Sequence, residues 1–157
     1  MEIVLLLNGK TEENYLQEGI QLFEQRIGRY IRYESKIVPA LKNAKNMPIA
    51  QQKEKEAELM EKYIEKADFI VLLDERGTEY GSKEFANFLQ KQMNKGIRTL
   101  MFVVGGPYGF SESIYAKAQE KISLSRMTFS HQMIRLLFTE QLYRGFSILK
   151  GEPYHNE

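Results

Sequence analysis

The stretch Thr99-Leu100-Met101-Phe102-Val103-Val104-Gly105-Gly106-Pro107-Tyr108-Gly109 decides the fold. After Thr99 it is continuously apolar up to Val104, the pattern of a strand covered on both faces. Gly105-Gly106-Pro107 then ends it abruptly. Adjacent glycines permit backbone conformations barred to other residues and let a ligand approach the main chain closely, and Gly109 permits a second turn. In open α/β sheets, ligands bind beyond the carboxyl ends of the strands, so this turn closes a core strand and is also a candidate binding loop. A Gly-Gly-Pro turn alone is more often structural. It is not the dinucleotide fingerprint, which needs Gly-x-Gly-x-x-Gly opening a helix, and it is not a phosphate loop, because no Gly-Lys-Ser/Thr follows.

The same alternation extends in both directions. Residues 3–7 predict a strand, broken by Asn8-Gly9. Thr11 is the expected N-cap of a helix with Glu12 and Glu13 in its first turn. Leu16, Ile20, Phe23, Ile27 and Tyr30 give that helix its apolar stripe. Residues 35–38 predict a short strand closed by Pro39, and 40–48 an exposed loop before a charged helix to about residue 67. Residues 69–73 form a second continuous apolar run. Gly77 and Gly81 mark a loop, Ser82 caps a helix carrying Phe85, Phe88, Leu89 and Met93, and Gly96 ends it. After the glycine turn, Ser111 or Ser113 starts a short helix to Lys117, 121–125 predict a last short strand, and 131–149 the longest helix. The apolar residues of that helix (Met133, Ile134, Leu137, Leu142 and Phe146 among them) occupy more than one stripe. It is therefore buried against two surfaces, either both in one core or one in a partner chain. Strands alternating with helices imply an α/β fold, with a mostly parallel sheet and helices on both faces. No repeat, low-complexity segment or linker divides the chain, which reads as a single domain over 1–157.

Composition narrows the chemistry. The 157 residues include no cysteine, which excludes disulfides, thiolate metal sites and cysteine nucleophiles. The apolar run at 3–7 is too short for a signal peptide or membrane span, so a cytoplasmic protein without a membrane partner is expected. The net charge of +1 does not announce a nucleic-acid binder. Locally, Arg26, Arg29, Arg32, Lys36, Lys42 and Lys45 face only Glu34, a net of +5 between residues 26 and 45. Arg26, Arg29 and Arg32 share one side of a helix if it runs that far, as a phosphate-contacting patch or a solvated helix end. The two histidines, His131 and His155, are weak support for a metal site, and none is expected. Glu140 lies inside the apolar last helix, where Arg144 at i+4 is its natural partner.

Taken in order, several segments resemble one family. They are the 103–109 glycine loop, Ser123-Leu124-Ser125-Arg126-Met127-Thr128-Phe129-Ser130-His131-Gln132-Met133, Glu140-Gln141-Leu142-Tyr143-Arg144-Gly145-Phe146 and the terminal Pro153-Tyr154-His155. Leu7-Asn8-Gly9-Lys10, the Leu73-Asp74 turn and the length agree too. The set is similar to the RlmH family of ribosomal RNA methyltransferases, within the SPOUT superfamily, along the whole chain. That resemblance implies a homodimer with a C-terminal trefoil knot, within about residues 70–157, around S-adenosylmethionine. It implies N3-methylation of a pseudouridine in helix 69 of 23S rRNA on the assembled 70S ribosome, without a metal. The alternatives are a SPOUT enzyme for another RNA position, or a ribosome-binding module that has lost catalysis. By matching positions, Leu73, Gly105, Gly106, Ile122, Ser123, Leu124, Ser125, Arg126 and Met127 are expected to hold the cofactor. Tyr154 and His155 are expected to position the base and handle its proton. Arg26, Arg29, Arg32, Arg135 and Arg144 are the expected RNA contacts. The sequence departs from the family at its end, where Asn156 and Glu157 follow His155 in place of an Arg or Lys.

Overall fold

The computed structural model describes residues 1–156. Strands β1 (Glu2–Asn8), β2 (Arg32–Val38), β3 (Phe69–Glu79), β4 (Thr99–Val104) and β5 (Glu120–Ser123) alternate with helices α1 (Asn14–Ile27), α2 (Ile49–Ile64), α3 (Ser82–Asn94), α4 (Glu112–Lys117) and α5 (Met133–Leu149). The sheet order is β2-β1-β4-β3-β5, and every neighbouring pair is parallel. Parallel pairs need crossovers, which the helices supply.

The continuous apolar runs follow from a sheet with helices on both faces. Ile3, Leu5, Leu7, Leu100, Phe102 and Val104 pack with Leu89 of α3 and Phe138, Leu142 and Phe146 of α5. Val4, Leu6, Met101 and Val103 face the other way, onto Ala57, Met60 and Ile64 of α2 and Ile114 of α4. Leu100, Phe102 and Val103 are fully buried, and each such side chain is worth about 1.5–3 kcal/mol. Within this chain α5 packs between α1 and α3. A Cβ on Gly19 of α1 would lie 2.9 Å from Leu136, and one on Gly145 would lie 2.9 Å from Leu89 of α3. Those glycines let α5 pack closely between its two neighbours.

Several boundaries differ from the sequence reading. α1 starts at Asn14, with Glu13 at the N-cap. Thr11 instead accepts a hydrogen bond from Arg135 through its hydroxyl. Ser82 does not cap α3. Gly81 holds that position, and the Ser82 hydroxyl donates to Gln141 Oε1 at 2.8 Å. β2 begins at Arg32, β5 ends at Ser123, and α5 begins at Met133. The largest difference is in β3, which continues past Leu73 to Glu79. It pairs with β5 before and after a bulge between Leu73 and Thr78. Gly77 therefore sits in a strand rather than a loop. A Cβ there would lie 2.6 Å from Ile122 N and Lys121 C, so the glycine is required by the close approach of β5.

Candidate active site

The carboxyl ends of β3, β4 and β5 enclose a cavity of about 330 Å³, within the usual range for a small-molecule site. Its walls bring together the three loops that the sequence singles out. Leu73 and Asp74 come from the β3 bulge, Gly105 and Gly106 from the turn after β4, and Ile122, Ser123, Leu124, Ser125 and Met127 from β5 and the segment after it.

Each wall has a local cause. A Cβ on Gly105 would lie 3.1 Å from the Phe110 ring, and one on Gly106 would lie 3.1 Å from both Asn8 Nδ2 and Glu56 Oε2. Gly109 takes φ +80°, and its N–H closes the turn onto the Gly106 carbonyl at 3.2 Å. In the β3 bulge, Asp74 Oδ1 accepts from the Arg76 N–H at 2.9 Å, and Asp74 Oδ2 accepts a short hydrogen bond from the Tyr115 hydroxyl. Burial, then that bond, push the Tyr115 phenol up to about 12, so it stays protonated. After β5, the Ser123 hydroxyl donates to the Ser125 carbonyl at 2.9 Å, and Ser125 Oγ accepts from the Met127 N–H at 2.9 Å. These bonds fix the loop that carries Leu124.

Two expected site residues are placed otherwise. The Arg126 side chain is 87% exposed, 3.9 Å from Glu79, and is not part of the cavity wall. Arg135 is fully buried. It donates to the Asn8 and Gly9 carbonyls, each at 2.9 Å, and to Thr11 Oγ1 and the His131 carbonyl, each at 3.1 Å. It is a clamp on the turn after β1, with no exposed surface to offer RNA.

The tail packs on α5. Arg144 Nη2 donates to Glu140 Oε1 at 2.5 Å, and the Tyr154 hydroxyl donates to the same oxygen at 2.9 Å. Arg144 Nη1 lies 3.0 Å from His155 Nδ1. A guanidinium only donates, so Nδ1 is the acceptor in this contact. The Arg144 guanidinium also lies 4.8 Å from the Tyr154 ring centroid. Burial, followed by the bond to Glu140, raises the Tyr154 phenol. Neither Tyr154 nor His155 lines the first cavity. A second cavity of about 300 Å³ shares Ile122, Ser123, Leu124, Ser125 and Phe129 with it and reaches Glu140 and Gln141. The residue that holds Tyr154 is thus on the far side of the 122–125 segment from the first cavity.

The arginine stripe is absent. α1 ends at Ile27, Arg29 lies in the following turn, and Arg32 opens β2. Arg26 stacks on Phe23 and Tyr143, 5.6 and 5.4 Å from their centroids. Arg32 starts a seven-residue strand whose other end is the cavity side, roughly 20 Å away at strand rise.

Sequence reasoning missed Tyr115, which α4 delivers to the cavity, and did not assign His131, which also lines the wall, to the cofactor site. It also passed over Glu56. The only signal for Tyr115 was Asp74, an acid ending an apolar run that needs a donor.

Comparison with known proteins settles the lineage. Residues 1–155 match the family described as predicted SPOUT methyltransferase. The chain belongs to the SPOUT methyltransferase family. Proteins similar to this SPOUT chain include the ribosomal RNA large subunit methyltransferase H of Flavobacterium johnsoniae, 54% identical, and that of Parabacteroides distasonis, 53% identical, each alignment covering 100% of both chains. Among solved structures, a probable methyltransferase from Bordetella pertussis matches with TM-score 0.53 and 10% identity, covering 92% of this chain and 94% of that one. A putative methylase family protein from Neisseria gonorrhoeae matches with TM-score 0.51 and 10% identity, covering 99% and 85%. At such identities these two show the fold alone. SPOUT methyltransferases take their methyl group from S-adenosylmethionine. The cavity fits that cofactor: it has the volume, the bare main chain of Gly105 and Gly106 in its wall, and apolar walls from Leu73, Leu124 and Met127.

Proposed function

We propose that this SPOUT methyltransferase modifies 23S rRNA, methylating N3 of a pseudouridine in helix 69 on the assembled 70S ribosome, as a cytoplasmic homodimer. The observation that carries this reading is identity above one half, over full length, with proteins named ribosomal RNA large subunit methyltransferase H. We read residues 1–157 as one domain, with the family's knot within about 70–157 formed around the three loops.

S-adenosylmethionine, when bound, supplies a methyl group on a sulfonium leaving group. The chain's own task is then alignment of N3 with that carbon and removal of the imide proton. Gly105 and Gly106 give main-chain access, Leu73, Leu124 and Met127 give apolar walls, and the main chain of 122–127 is available for the polar edge of adenine. Tyr154 and His155 position the base. Arg144 Nη1 engages His155 at Nδ1. For His155 to take the proton, that bond must be exchanged. The distance of the tail from the first cavity favours delivery of these residues to the partner's cofactor. Tyr15 and Leu22, 60% and 45% exposed on α1, are apolar groups that a second copy would cover. Arg26 and Arg144 stand with the tail and are the arginines best placed near the reacting base. Arg29 and Arg32 serve only RNA that extends to the other end of the sheet.

The test is transfer of tritium from methyl-labelled S-adenosylmethionine to ribosomes lacking the modification, comparing the native chain with His155→Ala. Label in large-subunit rRNA, with single-turnover transfer slowed at least about tenfold in the variant, supports the reading. Label at the native rate in the variant removes His155 from the chemistry, and no label in either removes the activity.

A further inference from the structure

Glu56 is a buried carboxylate with little to hold it. It projects from α2, is 8% exposed, and its one hydrogen bond is from Gln52 Nε2 at 3.3 Å. Among the described residues no lysine or arginine pairs with it. Beside it, Asn8 Oδ1 is buried and accepts no hydrogen bond. Burying a carboxylate without a cation or good donors is costly. The place is informative. Both carboxylate oxygens stand 3.1–3.2 Å from where a Gly106 side chain would begin, and Gly106 lines the cavity. His131 lines the same cavity. Its imidazole is lowered by burial first and by Arg135 next, with Glu12 and then Glu56 acting in the opposite direction.

We propose that Glu56 is the counter-charge for the cationic methionine end of the cofactor, acting from behind the Gly105-Gly106 turn. This rests on the reading that the cavity holds S-adenosylmethionine. That cofactor carries a sulfonium and an α-ammonium against one carboxylate, a net charge of +1 at its methionine end. A fixed negative charge within several ångströms favours that end and leaves a neutral ligand unaffected. Gly106 lacks a side chain that would stand between the two. The competing reading is a purely structural acid, which would stabilise the fold.

The test is calorimetric binding to the native chain and to Glu56→Gln, which keeps the shape and the acceptor for Gln52. The two ligands are S-adenosylmethionine and 5′-methylthioadenosine, which keeps the adenosine and lacks both cations. Thermal unfolding of both proteins is measured alongside. The expected result is a loss of about tenfold in affinity for S-adenosylmethionine, unchanged affinity for 5′-methylthioadenosine, and a Tm equal to or above the native one, since an uncompensated charge has been removed. Equal affinity for S-adenosylmethionine, parallel loss for both ligands, or a lowered Tm with weaker binding overall each overturns the proposal. Failure of the native chain itself to bind S-adenosylmethionine overturns the reading of the cavity instead.

Discussion

Gly77 leaves no room for a methyl group. The nearest atoms to its missing Cβ are main chain of Lys121 and Ile122 at 2.6 Å, and main chain cannot rotate away as a side chain can. Gly77→Ala should therefore destabilise by about 2–3 kcal/mol or more, measured by urea unfolding, and should disturb the segment after β5. An unchanged midpoint would show that the bulge yields. Arg135→Ala removes four hydrogen bonds at once and strands the Asn8 and Gly9 carbonyls. A loss of about 3 kcal/mol is expected in the same assay. A role in RNA contact would instead leave stability intact and weaken RNA binding. Neither residue was legible in the sequence. Gly77 reads as loop because a glycine reports freedom or close approach alike, and the approaching strand is more than forty positions away. Arg135 reads as a surface cation because nothing nearby in sequence shows the carbonyls of a turn 126 residues earlier.

At the scale of elements, runs of buried residues were read well because their cause is local. β4 has the bounds that the sequence predicts, and the short helix after Ser111 does too, with Ser111 Oγ accepting from Ile114 N at 3.4 Å. Ends set by distant partners were read less well: β3 gains its second half only by pairing with β5. The tail carries the residues proposed to position the base. Its anchor is Glu140, the acid inside an apolar helix, whose Arg144 partner the i+4 spacing identified. Glu140→Leu removes the acceptor of both Tyr154 and Arg144. Amide exchange across residues 152–155 should rise about tenfold in that variant, while the middle of β4 keeps its protection. Unchanged exchange in the tail would show that aromatic packing of Tyr154 on Tyr143, at 4.6 Å between centroids, holds it alone.

Across the whole molecule, the parallel sheet explains why three segments far apart in sequence form one cavity. Parallel strands send all their carboxyl ends to one edge, and β3, β4 and β5 are neighbours there. The fold class and the three cavity loops were therefore legible from apolar runs and the breaks after them. The electrostatic background of the cavity was not, because Glu56 comes from a helix whose charged residues look alike in sequence. The most direct measurement is mass-spectrometric mapping of 23S rRNA after incubating the purified chain, S-adenosylmethionine and 70S ribosomes from cells lacking the modification. One added methyl on a single pseudouridine of helix 69, at the N3 pairing edge where it also stops reverse transcription, is the predicted result. A methyl at any other nucleotide, or none with a chain that binds the cofactor, would contradict it.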